Sequence, residues 1–346
     1  MLSQEGRKIF FGSRLSIARR RRKLSKVELA RRVELARETL VRIEGGDEQP
    51  STTTAEKLCF ALSFPLSFFY AGEAELVEEE RVSFRALRNL PAKERDAALA
   101  TGELALLLSE FLQERYKLPS LDLPELGGLA PEEAAAQLRK LWDLQDRPIG
   151  NMVHLLEAKG VQVYWLPEEN REVDAFTFRN GNRAIVVLSR EKEGEHGRMD
   201  AAHELGHLLL HRQRPLGGQQ VETEAGDFAA AFLLPPAILE DLPPLPKLDV
   251  LLELKESWGV SLQALLRRGL QLGHYSEWQY KAALAELSRK NWRQREPAPW
   301  PVEDSLTFQK LAVFLKKRRM GFGDIASEIH IGERELVGML AWRGDL

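Results

Sequence analysis

Two hydrophobic periods divide the chain. Over 12–62 apolar residues recur every three or four positions, predicting a series of short amphipathic helices. Leu15 and Ala18 face one way in the first. Val27, Leu29, Ala30 and Val33 pack the second, and Leu40 and Ile43 face inward from the third. Ser25 with Glu28 has capping-box spacing, Glu34-Leu35 reads as a tight turn, and "GGDEQP" stops the third helix. Over 160–189 "GVQVYWLP" and "RAIVVLS" are short β-rich runs bounded by Gly, Pro and Asn, so a small sheet is expected there. The helical period returns in "RMDAAHELGHLLLHR" and in "VETEAGDFAAAFLLPP", where Ala225, Phe228, Ala229 and Phe232 share a face and Pro235-Pro236 end it. The expected fold class is mainly α with a small β-sheet, α+β.

Four breaks punctuate this pattern: acidic "EAELVEEE" (73–80), "KLPSLDLPELGGLAPEE" (117–133), "LPPLPK" (242–247) and "EPAPWPVED" (296–304). They outline an N-terminal helical module at 12–72, a helical connector at 81–130, a larger domain at 131–295 and a C-terminal helical element at 305–346. No repeat of fixed period is visible. With 346 residues, 44% hydrophobic and 29% charged, the chain is long enough for two or three cores. The net charge of −3 conceals an excess of Lys and Arg within 1–50, the pattern expected when one part meets a polyanion. Cys59 is the single cysteine, which excludes an intrachain disulfide. It reads as a small core residue of a cytoplasmic protein. The opening "MLSQEGRKIF" lacks a secretory apolar core, and "LCFALSFPLSFFYAG" falls short of the ~20 residues a membrane span needs.

Chemistry concentrates at 203–211. His203 and His207 are four apart, on one helical face, and can point at one ion, with Glu204 placed to reach a water without ligating. His211 stands ~12 Å along the helix from His203 and cannot join them, so it reads as a C-terminal residue favourable against the helix dipole. Glu222 and Glu224 on the following helix are the candidate third ligands. They lie ~200° apart, so only one can face the ion, and periodicity does not choose. His154, His196 and His274 have no spacing that argues for a role.

"LSKVELARRVELARETLVRIEGGDEQPS" resembles the XRE-type helix-turn-helix domain, a five-helix DNA-binding module. Glu34 stands where that family has glycine, and Ala36 where it has a Ser or Thr cap. The resemblance places Arg37, Glu38, Thr39 and Arg42 as base-edge candidates on the recognition helix. Lys26 and the run Arg19 to Lys23 would hold phosphates.

"RMDAAHELGHLLLH" followed by "ETEAGDFAAAFLLP", with "GVQVYW" and "DAFTFRNGNRAIVVLS" before it, looks like the ImmA/IrrE family of metallopeptidases. "FRALRNLP" near 84 and "WGVSLQALLRRGLQLG" extend the likeness. It implies Glu222 as third ligand beside His203 and His207, Glu204 as catalytic base, and zinc, or manganese, as the ion. Gly226 departs from the family's Asn or Asp.

The expected function is a DNA-binding zinc-dependent endopeptidase of stress response or mobile-element control. It would bind double-stranded operator DNA, as a homodimer, and cleave an XRE-type repressor. The alternative is a non-proteolytic XRE-family regulator whose metallopeptidase-like domain senses a ligand or partner. The tail "DIASEIHIGERELVGML" resembles a second helix-turn-helix or serves as a packing element, and Trp258, Trp278 and Trp292 are expected in the core.

Overall fold

The computed structural model describes residues 9–78, 82–83, 90–167, 172–212 and 218–342. Most of "FRALRNLP", at 84–89, lies outside them.

Four helices open the chain: α1 (Gly12–Arg21), α2 (Lys26–Arg32), α3 (Arg37–Gly45) and α4 (Thr52–Leu62). The expected capping box forms: Ser25 accepts from the Glu28 amide while the Glu28 carboxylate accepts from the Ser25 amide. Glu34 sits in the left-handed region at φ 57°, and its carboxylate pairs with Lys57, 2.7 Å away. Instead of a fifth α-helix there is a 3-10 turn, Leu66–Tyr70, whose Phe68 and Phe69 are buried. Val27 is exposed, contrary to expectation. The buried face of α2 is set by Leu29, Ala30 and Val33, and Val27 stands ~200° from Leu29 around the helix.

The pillar of the molecule is α5 (Ala92–Arg115), buried on almost every side from Ala97 to Ser109. A helix apolar all round needs cover all round. Helix α1 packs on one flank and the sheet on another. Gly102 makes the second contact close, since a Cβ there would meet Phe178 at 3.0 Å and Phe176 at 3.2 Å.

After α6 (Pro131–Leu141) and α7 (Met152–Ala158) come β1 (Val161–Trp165), β2 (Ala175–Asn180) and β3 (Arg183–Leu188). Their order is β1-β3-β2, parallel between β1 and β3 and antiparallel between β3 and β2. Strand β2 belongs to neither β-rich run identified from pattern. Its signal was the Asn180-Gly181 dipeptide, a hairpin turn with Gly181 at φ 55°. Val82 bridges Phe178 from the outer side of β2. Helix α8 (Gly194–Leu210) lies on β2 and β3, and α9 (Gln219–Leu233) packs between α8 and α6.

The remaining helices are α10 (Leu248–Trp258), α11 (Leu262–Gln271), α12 (Glu277–Arg289), α13 (Leu306–Lys317), α14 (Phe322–Glu328) and α15 (Glu333–Leu340). Trp258 is core as expected, Trp292 is half-buried, and Trp278 is 77% exposed, because the buried face of α12 is carried by Ala283 and Leu287. Helix α13 packs on α7, and α15 on β1. Among the described residues, no helix is long and apolar enough to cross a membrane.

Glu335 of α15 pairs with both Arg21 and Arg22 of α1, which ties the tail to the N-terminal module. Glu335→Ala would leave the buried Arg21 guanidinium without this carboxylate. Chemical denaturation is expected to show a loss of about 3 kcal/mol; an unchanged midpoint would mean that the tail docks without this pair.

Candidate metal centre

Helix α8 buries Ala201, Ala202, Leu205 and Leu209 against the core, which leaves His203, Glu204 and His207 turned toward α9 and a cavity of about 420 Å³. Gly206 sets the approach of the two helices. A Cβ there would stand 3.2 Å from the Ala225 Cα and 3.0 Å from Phe228. With α9 this close, Glu222, three residues before Ala225, reaches both histidines.

His203 Nε2 lies 3.1 Å from Glu222 Oε2 and 3.1 Å from His207 Nε2, and His207 Nε2 lies 3.6 Å from Glu222 Oε1. A tetrahedral ion bonded at zinc distances separates its ligand atoms by about 3.3 Å. Glu222 Oε1 is buried and has no hydrogen-bond partner, as expected of an oxygen meant for a cation. These three are the one such His/Cys/Asp/Glu group among the described residues, and His154, His196 and His274 stand outside it. The donor set fits a divalent metal.

Protonation follows from the same contacts. Burial pushes His207 down to about 4, keeping its ring neutral. Burial also works against ionisation of Glu222, but the hydrogen bond with His203 and the closeness of the His207 ring overcome it and hold the carboxyl at about 2. For His203 burial is again the largest influence, and it is outweighed by Glu222, Glu204 and Asp200, so its pKa rises. Glu204 is pushed up to about 7 by burial, against the pull of His203 and a bond from Ser83.

Behind the triad lies a chain of partners that spacing alone did not reveal. His211 caps α8 and is fully buried, with its Nδ1 3.1 Å from His207 Nδ1 and its Nε2 2.9 Å from Glu224 Oε2. With His207 Nε2 turned to the triad, His207 Nδ1–H donates to His211 Nδ1, and His211 Nε2–H donates to Glu224. Glu222 and Glu224, equivalent by periodicity, thus face different partners. Gly226 lies against His203, since a Cβ there would stand 3.9 Å from His203 Nδ1.

On the N-terminal module Arg37, Glu38 and Arg42 are exposed and Thr39 is partly exposed, while Arg42 bonds Glu48 at 2.8 Å. Lys26, half-exposed, lies 3.5 Å from Glu44. The run expected to hold phosphates is spent inside the protein. Arg19 pairs with Glu44, Arg20 with Glu103, Arg21 and Arg22 with Glu335, and Lys23 with Glu94. The acids come from α3, α5 and α15, so a charge run that looks solvent-facing in sequence is the glue between elements.

Residues 156–269 match the IrrE N-terminal-like domain of a peptidase family, and residues 11–67 match a helix-turn-helix domain family. The first match takes in the sheet, α8 and α9, hence the whole triad. The second takes in α1 to α4. The chain is thus similar to an N-terminal helix-turn-helix module joined to an ImmA/IrrE-type domain, and that pair of modules fits a DNA-binding regulator. No curated protein matches the chain.

His211→Ala is expected to weaken divalent-metal binding 10- to 100-fold, as loss of an outer partner does, with Glu224→Gln giving a smaller loss. Chelator competition on the folded variants measures both; wild-type affinity in His211→Ala would dismiss the relay.

Proposed function

We propose that the protein is a DNA-binding, metal-dependent endopeptidase that cuts an XRE-type repressor in the cytoplasm, in stress response or mobile-element control. One observation carries this reading: His203, His207 and Glu222 converge beside Glu204 at the wall of an open cavity. Two imidazoles and one carboxylate are the donor set of catalytic rather than structural zinc, and manganese suits them as well.

When bound, the ion would polarise the scissile carbonyl and make a water acidic near neutral pH. The rest falls to the chain. His203, His207 and Glu222 hold the ion, His211 and Glu224 fix the His207 ring, and Glu204 moves the proton. Its carboxylate takes a proton from water as the oxygen attacks the peptide carbon. The same proton passes to the amine nitrogen as the C–N bond breaks. This requires Glu204 ionised, and a cation held by its neighbours would favour that charge against the burial that raises its pKa to about 7.

The DNA reading rests on α3, whose exposed Arg37 and Glu38 stand at its start, where such a helix enters the major groove. Arg37 suits guanine, Glu38 suits cytosine N4, Thr39 and Arg42 extend the same face, and Lys26 is free enough to reach a phosphate. A homodimer would read paired half-sites. The competing reading is a non-proteolytic regulator that senses a ligand or partner. It is favoured by Glu204 Oε2 accepting a hydrogen bond from Ser83 rather than standing free.

Zinc-loaded wild type and Glu204→Gln, incubated with XRE-type repressors encoded nearby, should bind metal alike while the variant cleaves 10²- to 10⁴-fold more slowly. Wild type that holds zinc and cuts none of them would sink the peptidase reading. Binding to its own promoter should weaken with added salt, and Arg37→Ala should cost about 1–3 kcal/mol. Indifference to both would remove the DNA role.

A further inference from the structure

We propose that the outer edge of β2 is the surface on which this domain receives an extended peptide, and that the chain's own Val82 and Ser83 compete for it. The proposal rests on the peptidase reading above and adds how that site is occupied and controlled.

An edge strand offers a row of unpaired amides and carbonyls to any extended chain. On β2 part of that row is taken in cis. Val82 runs antiparallel opposite Phe178, and the Ser83 amide donates to the Thr177 carbonyl at 3.0 Å. The Ser83 hydroxyl accepts from the Thr177 amide at 2.9 Å and donates to Glu204 Oε2 at 2.6 Å. Both residues are buried, Val82 fully so.

Alternation along a strand means that Ala175, two residues from Thr177, turns the same backbone edge outward. Ala175 and Asp174 line the cavity that holds the triad, and Ser83 lines it too. The edge therefore leads from the linker directly into the catalytic cavity. A substrate strand extended along it past Thr177 would need the carbonyl that Ser83 now holds. Glu204, to accept a proton from water with Oε2, would need the oxygen that the Ser83 hydroxyl now occupies. One serine thus holds both the strand edge and one of the two oxygens of the base.

The competitor is anchored from the other side. Upstream in the same linker, the Ala74 amide donates to Ser13 Oγ of α1, and the Val77 amide to Glu103 of α5, which is also the partner of Arg20. The peptide edge is therefore filled by a segment whose upstream part is tied to the helix-turn-helix module and to the pillar.

The test uses the zinc-loaded full chain and two probes: a fluorescent tetrapeptide hydroxamate, which needs both ion and strand edge, and acetohydroxamate, which needs the ion alone. Val82→Asp puts a charge where no water reaches, and Ser83→Pro removes both the amide and the hydroxyl donor. Both should bind the tetrapeptide probe at least tenfold tighter than wild type, bind acetohydroxamate equally, and exchange the Thr177 amide faster. Ser83→Ala, the mildest change, serves if either does not fold and should give a gain of the same sign. Equal or weaker tetrapeptide binding in folded variants would overturn the proposal, as would no binding by any of them. Tighter binding without cleavage of any repressor would leave it standing and remove the peptidase reading alone.

Discussion

The site depends on one close approach, the crossing of α8 and α9 at Gly206 and Ala225. A side chain at 206 would need the facing helix to give by a few tenths of an ångström, because a Cβ there lies 3.2 Å from its backbone. Interiors packed at crystal-like density do not absorb such a change locally. The glycine between Glu204 and His207 thus favours the close approach by which the carboxylate of α9 reaches the imidazoles of α8. The sheet beneath and α6 beyond hold the crossing from both sides, and α9 contributes Ala225, Phe228, Ala229 and Phe232 to that packing. Chemistry and core use alternate faces of the same two helices.

A second constraint is charge turned inward. Arg19 to Lys23 would be worth little as scattered surface pairs, but several of their partners are buried, and a buried pair broken on one side is costly. Such pairs fix orientation as much as they add stability. Through Glu44, Glu103 and Glu335, α1 is keyed to its own recognition helix, to the central pillar and to the tail. The tail thus acts as a packing element on α1 and β1, whatever else its helices do.

How much of this was legible follows from the range of each interaction. Fold class, the capping box of α2, the core faces of α1, α3 and α9, and the pairing of His203 with His207 were all readable, because each is local and periodic. Glu222 and Glu224 could not be separated by period, since both flank the same stripe. Only their contacts divide them, one to the histidine pair and one to His211. His211 was readable as a residue that cannot share the ion but not as the partner of one that can, because that role needs the carboxylate of another helix. The basic run reads as solvent-facing for the same reason: its partners lie on α3, α5 and α15, far off in sequence. Strand β2 was missed although Asn180-Gly181 announced its turn. Ser83 left no signal, being a lone serine 121 positions from the glutamate it bonds.

That last contact changes how the two modules relate. A fusion of a DNA-binding domain to a peptidase could be a tether and nothing more, with a slack linker between independent bodies. Here the linker is held by α1 at Ala74, by the pillar at Val77 and by the sheet edge at Val82 and Ser83, ending on the carboxylate that would move the proton. The pillar residue that holds Val77 is also the one that neutralises Arg20. Burial raises the pKa of Glu103, with Arg20 pulling the other way, so displacing that arginine would disturb the carboxylate that fixes the linker. A shift of α1 against α5 would act on the bonds at Ala74 and Val77, and a change in access to the catalytic cavity on those at Val82 and Ser83 of the same stretch of chain.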